Sequence, residues 1–155
     1  MKKRRLVIMG LFAIGTVLVL CSCGGGSSGN NGKRLTKEQF ATKANAICLS
    51  FNKANSATGT PTSINEAIAQ VEKLTPLYEK RVSDLTKLKP PANEQAPVSR
   101  IITLETKRTS LATQVLAELK KNDVAKANAL IQSGNKDSKE AKSLYPKVGL
   151  TECGK

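Results

Sequence analysis

The chain has 155 residues, with 25 Lys and Arg against 12 Asp and Glu, a formal net charge of +13, and neither His nor Trp. Without His, the imidazole-based catalytic triads and imidazole metal sites are excluded. What remains is a basic chain long enough for one domain, with a surface suited to an envelope rich in anionic lipids and polymers, or simply to solubility.

Lys2, Lys3, Arg4 and Arg5 open the chain, and Leu6 to Leu20 follow as 15 residues without a charge. A membrane-spanning helix needs about 20 apolar residues and a signal-peptide core about 7–15, so the run reads as an export leader. An uncleaved anchor helix is the alternative. Both place residues 24–155 outside the cell membrane, because the basic end stays cytoplasmic. The run closes on Leu20-Cys21-Ser22-Cys23, with small Ser22 next to Cys23 and Leu20 three places before it. This stretch resembles the lipobox of bacterial lipoproteins, with Cys21 where Ala, Ser, Thr or Val is usual. The resemblance implies a diacylglyceryl lipid on Cys23, acylation of the palmitate type, cleavage after Ser22 and anchorage on the extracytoplasmic face of the cell membrane. The leader would remove four basic residues and no acidic one, leaving 133 residues with 21 basic and 12 acidic side chains, a net charge of +9.

With Cys21 lost in the leader and Cys23 lipidated, Cys48 and Cys153 are left. Two remaining thiols in an oxidising compartment usually pair, which makes a structural disulfide the expectation. A reactive thiol pair or a metal pair lacks any His or Cys-x-x-Cys context. Gly24 to Gly32 holds only Gly, Ser and Asn and reads as a flexible tether. The expected organisation is a signal peptide at 1–22, a lipidated Cys with its tether at 23–34, and a helical domain at 35–155.

Thr36 and Gln39 make a capping box that opens a first helix. Phe40, Ala44, Ile47, Cys48 and Phe51 lie along one of its faces, and it runs to about Ala54. A loop of Ser, Thr, Gly and Pro occupies 56–62. Ser63 and Glu66 form a second capping box, followed by Ile64, Ile68, Val71, Leu74, Tyr78, Val82, Leu85 and Leu88 at helical steps. Pro76 does not shift the phase, so the expectation is one kinked helix, ended by Pro90-Pro91. A third helix begins between Glu94 and Pro97, where proline costs no hydrogen bond, and ends at Lys120-Lys121. Asn122 or Asp123 caps a fourth, weakened in the middle by Gly134 and stopped by Pro146. No stretch alternates in the strand pattern. The fold class is all-α, a four-helix antiparallel bundle closed by one disulfide, with a core rich in Ala and β-branched residues and short of aromatics.

Ala44-Asn45-Ala46-Ile47-Cys48 and Gly149-Leu150-Thr151-Glu152-Cys153-Gly154 are together similar to the end motifs of a group of small actinobacterial secreted and lipid-anchored proteins. The resemblance implies a helical domain with this cysteine pairing. It implies no activity.

Short motifs with chemical overtones are weak. Ser50-Phe51-Asn52-Lys53 and Ser133-Gly134-Asn135 match two elements of penicillin-binding enzymes, but Lys-Thr-Gly is absent. Glu72 and Glu79, seven apart, suggest paired carboxylates, against which neighbouring Lys73 and Lys80 favour a solvated charged face. Lys80, Arg81, Lys87, Arg100, Lys107 and Arg108 concentrate positive charge on the middle two helices. No stacking aromatics or nucleic-acid motif accompanies them, so the expected partner is an anionic lipid or wall polymer rather than nucleic acid. No cofactor or metal is expected. The functional expectation is a membrane-anchored, non-catalytic binding or adaptor module. The alternative is a small envelope enzyme using carboxylate and Lys chemistry, which a pocket lined by Glu72, Glu79 or Lys107 would favour.

Overall fold

The computed structural model describes residues 33–155. The leader, Cys23 and most of the tether lie outside the described residues. Residues 33–155 form one compact unit, and its core and disulfide are internal to it. Four helices follow in order: α1 Lys37–Ser56, α2 Ile64–Thr86, α3 Gln95–Lys120 and α4 Val124–Leu144. No strand occurs among the described residues, and no helix among them is long and apolar enough to cross a membrane.

Local chemistry sets the helix ends. At α1, Thr36 Oγ1 accepts from the Gln39 amide at 3.2 Å while Gln39 Oε1 accepts from the Thr36 amide at 3.1 Å, the expected reciprocal box. At α2 the reciprocity slips by one residue. Ser63 Oγ still accepts from the Glu66 amide, but the Glu66 carboxylate reaches past it to the amide and hydroxyl of Thr62, at 2.7 and 2.9 Å. Those bonds hold the Glu66 carboxyl below the usual carboxylate range. The helix continues through Pro76 as one element. A 3-10 turn, Ala92–Glu94, leads into α3, and Pro97 sits in its first turn as expected.

Asp123, not Asn122, caps α4, accepting from the Lys126 amide at 3.0 Å. Asn122 instead takes the left-handed conformation (φ 61°) that ends α3, a role Asn tolerates better than most residues. Pro146 does not stop the chain from coiling. After Leu144 the helix tightens to a 3-10 segment, Tyr145–Val148, and Gly149 at φ 73° turns the tail back.

Helix α3 is central, packed against α2 on one side and α4 on the other; α1 packs on α2. The core falls into two clusters. The larger gathers Phe40, Ala44 and Cys48 of α1, Leu85 of α2, Val98, Ile101 and Leu104 of α3, and Tyr145, Val148, Leu150 and Cys153 of the tail. The smaller, at the opposite end of α3, is Val115, Leu119 and Ala127 with Ile68, Val71 and Leu130 beside them. Aromatics weigh more in this core than expected, since Phe40, Phe51 and Tyr145 are all buried.

The tail is bolted to α1. Cys48 and Cys153 form a disulfide across 105 residues, with Cα atoms 4.9 Å apart. Asn45 flanks it with both ends of its amide: Nδ2 donates to the Gly149 carbonyl and Oδ1 accepts from the Glu152 amide, each at 2.9 Å. Asn52 Nδ2 adds a bond to the Glu152 carbonyl at 2.7 Å. The two end motifs of the sequence are thus in contact. A Cβ on Gly149 would lie 3.2 Å from Ala41 Cβ.

Candidate functional site

Between the two core clusters the interior becomes polar. Arg81 of α2, read from sequence as part of an exposed patch, is buried at 5% exposure. It occupies the apolar stripe between Tyr78 and Leu85, three residues after one and four before the other. Its Nη2 pairs with Glu105 Oε2. Arg108 Nη1 and the Tyr145 hydroxyl both donate to Glu105 Oε1, at 2.8 and 2.5 Å. The Arg81 guanidinium lies 4.3 Å from the Phe51 ring centre and 5.4 Å from that of Tyr78, and the two rings are 4.6 Å apart. Cation–π attraction therefore offsets part of the desolvation of Arg81, although its Nε has no hydrogen-bond partner.

Burial and the adjacent Glu105 carboxylate push the Tyr145 phenol well above its ordinary range, so it stays a neutral donor. Burial works against the Arg108 charge, but the adjacent Glu105 carboxylate outweighs it and raises its pKa. Two guanidiniums thus share one carboxylate and a neutral phenol. The cluster carries one positive charge in excess.

Arg108 and Tyr78 also face the other way, into a cleft of about 200 Å³. Val71, Leu74, Thr75 and Tyr78 of α2 form one wall, Leu111, Ala112 and Val115 of α3 the floor, and Leu130, Ile131, Gly134 and Asn135 of α4 the other wall. α1 contributes nothing to it. The Thr75 hydroxyl is turned onto its own helix, donating to the Val71 carbonyl at 2.7 Å. Arg108 is the one formal charge in the lining. Gly134 keeps the α4 wall low: a Cβ there would meet Leu111 Cδ1 at 3.7 Å, ordinary contact distance. Ile131 on the rim is 44% exposed.

The other patch residues do not form one ridge. Lys80 and Lys87 share Asp84 on the outer face of α2 and hold its carboxyl below the usual range. Arg100 grips Glu140 of α4 with two nitrogens, at 2.6 and 2.9 Å, and Lys107 pairs with Asp137 of α4 at 3.0 Å. Each of the six cations therefore has a carboxylate partner, and four remain largely exposed while Arg81 and Arg108 face inward.

Glu72 and Glu79 are not brought together in one cavity. Glu72 pairs with Lys120 at 2.7 Å, and Glu79 borders a surface groove between α2 and α3 with Thr106 and Thr109. Among the described residues no group of three or more His, Cys, Asp or Glu is placed to hold a metal ion. Compared with protein-family models, with characterised proteins and with solved structures, the chain matches none.

Residue spacing held a clue to the cluster. Glu105 follows Val98 by seven and Ile101 by four, squarely on the buried face of α3, and Arg108 continues the same stripe toward Leu111 and Val115. A carboxylate and two guanidiniums on facing apolar stripes mark a buried ion cluster, whereas their charge alone suggests surface.

Proposed function

We propose that this protein is a lipid-anchored binding module on the extracytoplasmic face of the cell membrane, and that its ligand site is the cleft between α2, α3 and α4. The anchor reading rests on the leader and Leu20-Cys21-Ser22-Cys23, and the tether of Gly, Ser and Asn behind it would hold the domain a short distance from the bilayer. The observation that carries the binding reading is the cleft itself. Aliphatic side chains from three helices converge on an open space, with one charged group at its inner end. Concave, mainly apolar sites with few convergent polar groups are the usual form of small-molecule sites.

The end of the bundle away from the cleft is held firmly, because the disulfide and the Asn45 clamp join α1 and the tail. The exposed Lys80, Lys87, Arg100 and Lys107 would add weak, salt-screened attraction to an anionic lipid surface or wall polymer, since paired surface charges contribute little each.

The test is binding of the neutral fluorophore N-phenyl-1-naphthylamine to residues 31–155. Saturable binding that Gly134→Leu abolishes, with the melting temperature preserved, is the expected result. Binding unchanged by Gly134→Leu would place the site elsewhere.

A further inference from the structure

We propose that the ligand of this cleft is a short alkyl carboxylate, its carboxylate paired with Arg108 and its chain lying on Leu111, Val115, Leu130 and Ile131. The assignment rests on the cleft being the binding site and adds the chemical class of what it binds.

Charge comes first. Arg81 and Arg108 share Glu105, and the third member, Tyr145, is neutral, so one positive charge is left without a counter-charge in the bundle interior. Arg81 is almost wholly buried and borders a different hollow, shared with Asp84, whereas the Arg108 side chain is 23% exposed and lines the cleft. Only its Nη1 is engaged among the described residues. A guanidinium has five N–H donors in a planar fork, so Arg108 retains donors for a carboxylate arriving from the cleft. A monoanion would bring the cluster to neutrality. A dianion such as a phosphate monoester would leave it overcharged in a poorly solvated site.

Shape and polarity fix the remainder of the ligand. Beyond Arg108 the walls are mainly aliphatic; Tyr78 and Asn135 are the other polar side chains of the lining, and Thr75 has turned its hydroxyl onto its own helix. This part of the ligand therefore gains from being hydrocarbon. A cleft of about 200 Å³ is smaller than the roughly 300–1,000 Å³ of sites for drug-sized molecules, so it suits a short chain. The partly exposed Ile131 at the rim gives a longer chain a surface on which to leave.

The experiment is calorimetric titration of residues 31–155 with octanoate, octanol, octylamine and acetate. Octanoate should bind about tenfold or more tightly than octanol, the difference a charge-assisted pair supplies. Acetate and octylamine should bind weakly or not at all. Arg108→Gln should remove the preference for octanoate over octanol while octanol binding persists, a change that a merely structural loss would not produce. Arg108→Lys, which keeps the charge, should retain part of the preference; it serves as the second variant if the Gln form is unstable.

Equal wild-type affinity for octanoate and octanol would overturn the carboxylate assignment and leave the cleft as a neutral site. If octanoate fails to displace bound N-phenyl-1-naphthylamine, the ligand class is wrong while the cleft reading stands. Should neither compound bind, both fall.

Discussion

Glu105 is the residue on which the interior depends. At 1% exposure it receives Arg81, Arg108 and Tyr145 together, and no other carboxylate pairs with either guanidinium among the described residues. Removing one partner of a buried ion pair leaves the other uncompensated, at a cost of about 3–5 kcal/mol. Glu105→Gln should therefore lower stability by about that amount in urea denaturation. A loss under about 1 kcal/mol would show that Arg81 reaches water. Tyr145 supplies a second readout from the same cluster. Its folded pKa lies above the ordinary 10.0 because of burial and Glu105. The stabilisation linked to its proton is fully present below pH 10 and is lost as pH rises through the folded value. Phenolate absorbance should thus show one tyrosine resisting ionisation until the domain unfolds at alkaline pH. Charge alone conceals this cluster in the sequence, because an Arg reads as a surface residue. The positions of Arg81 and Arg108 on the stripes of Tyr78, Leu85 and Leu111 place them inward, and only the partner Glu105 makes that placement tolerable.

Helices were far more legible than their ends. Phe40, Ala44, Cys48 and Phe51 line the buried face of α1, and Leu74 and Leu85 of the α2 stripe are buried, whereas Ile64 at its start is exposed. The ends depend on single side chains choosing between near-equal donors: Glu66 prefers Thr62 to Ser63, and Asp123 prevails over Asn122 as the cap. Least legible was the tail, where Val148 and Leu150 are buried in a short segment with no period to read. Gly149 is the hinge of that segment. Its left-handed φ of 73° and the 3.2 Å approach of Ala41 leave no easy place for a Cβ. Gly149→Ala should cost about 1–2 kcal/mol, from the left-handed strain alone. Gly134→Ala, on α4 with ordinary contacts, should instead stabilise by up to about 1 kcal/mol. The pair of denaturation midpoints checks both signs at once.

Across the whole molecule, a stiff end and an open end share the central helix α3. The disulfide, Asn45 and the larger core hold one end, and the cleft occupies the stretch between the polar cluster and the smaller core. The cleft was not readable in sequence, because an apolar stripe looks the same whether its facing helix is present or absent; here α1 simply does not line that stretch. The leader makes a separate prediction. Cys23→Ala should shift the protein from the membrane fraction to the medium or leave an unprocessed precursor. A wild-type N-terminus mapped beyond Cys23 would remove the anchor from the account.

Methyl chemical-shift mapping tests the binding claim most directly. Residues 31–155, labelled at Leu, Val and Ile methyls, would be titrated with octanol and octanoate. The account predicts saturable shifts at Leu111, Val115, Leu130 and Ile131, with Leu85 and Leu104 in the closed core unmoved. Shifts spread evenly over the exposed residues Leu49, Ile64 and Val124, with none concentrated in the cleft, would contradict it.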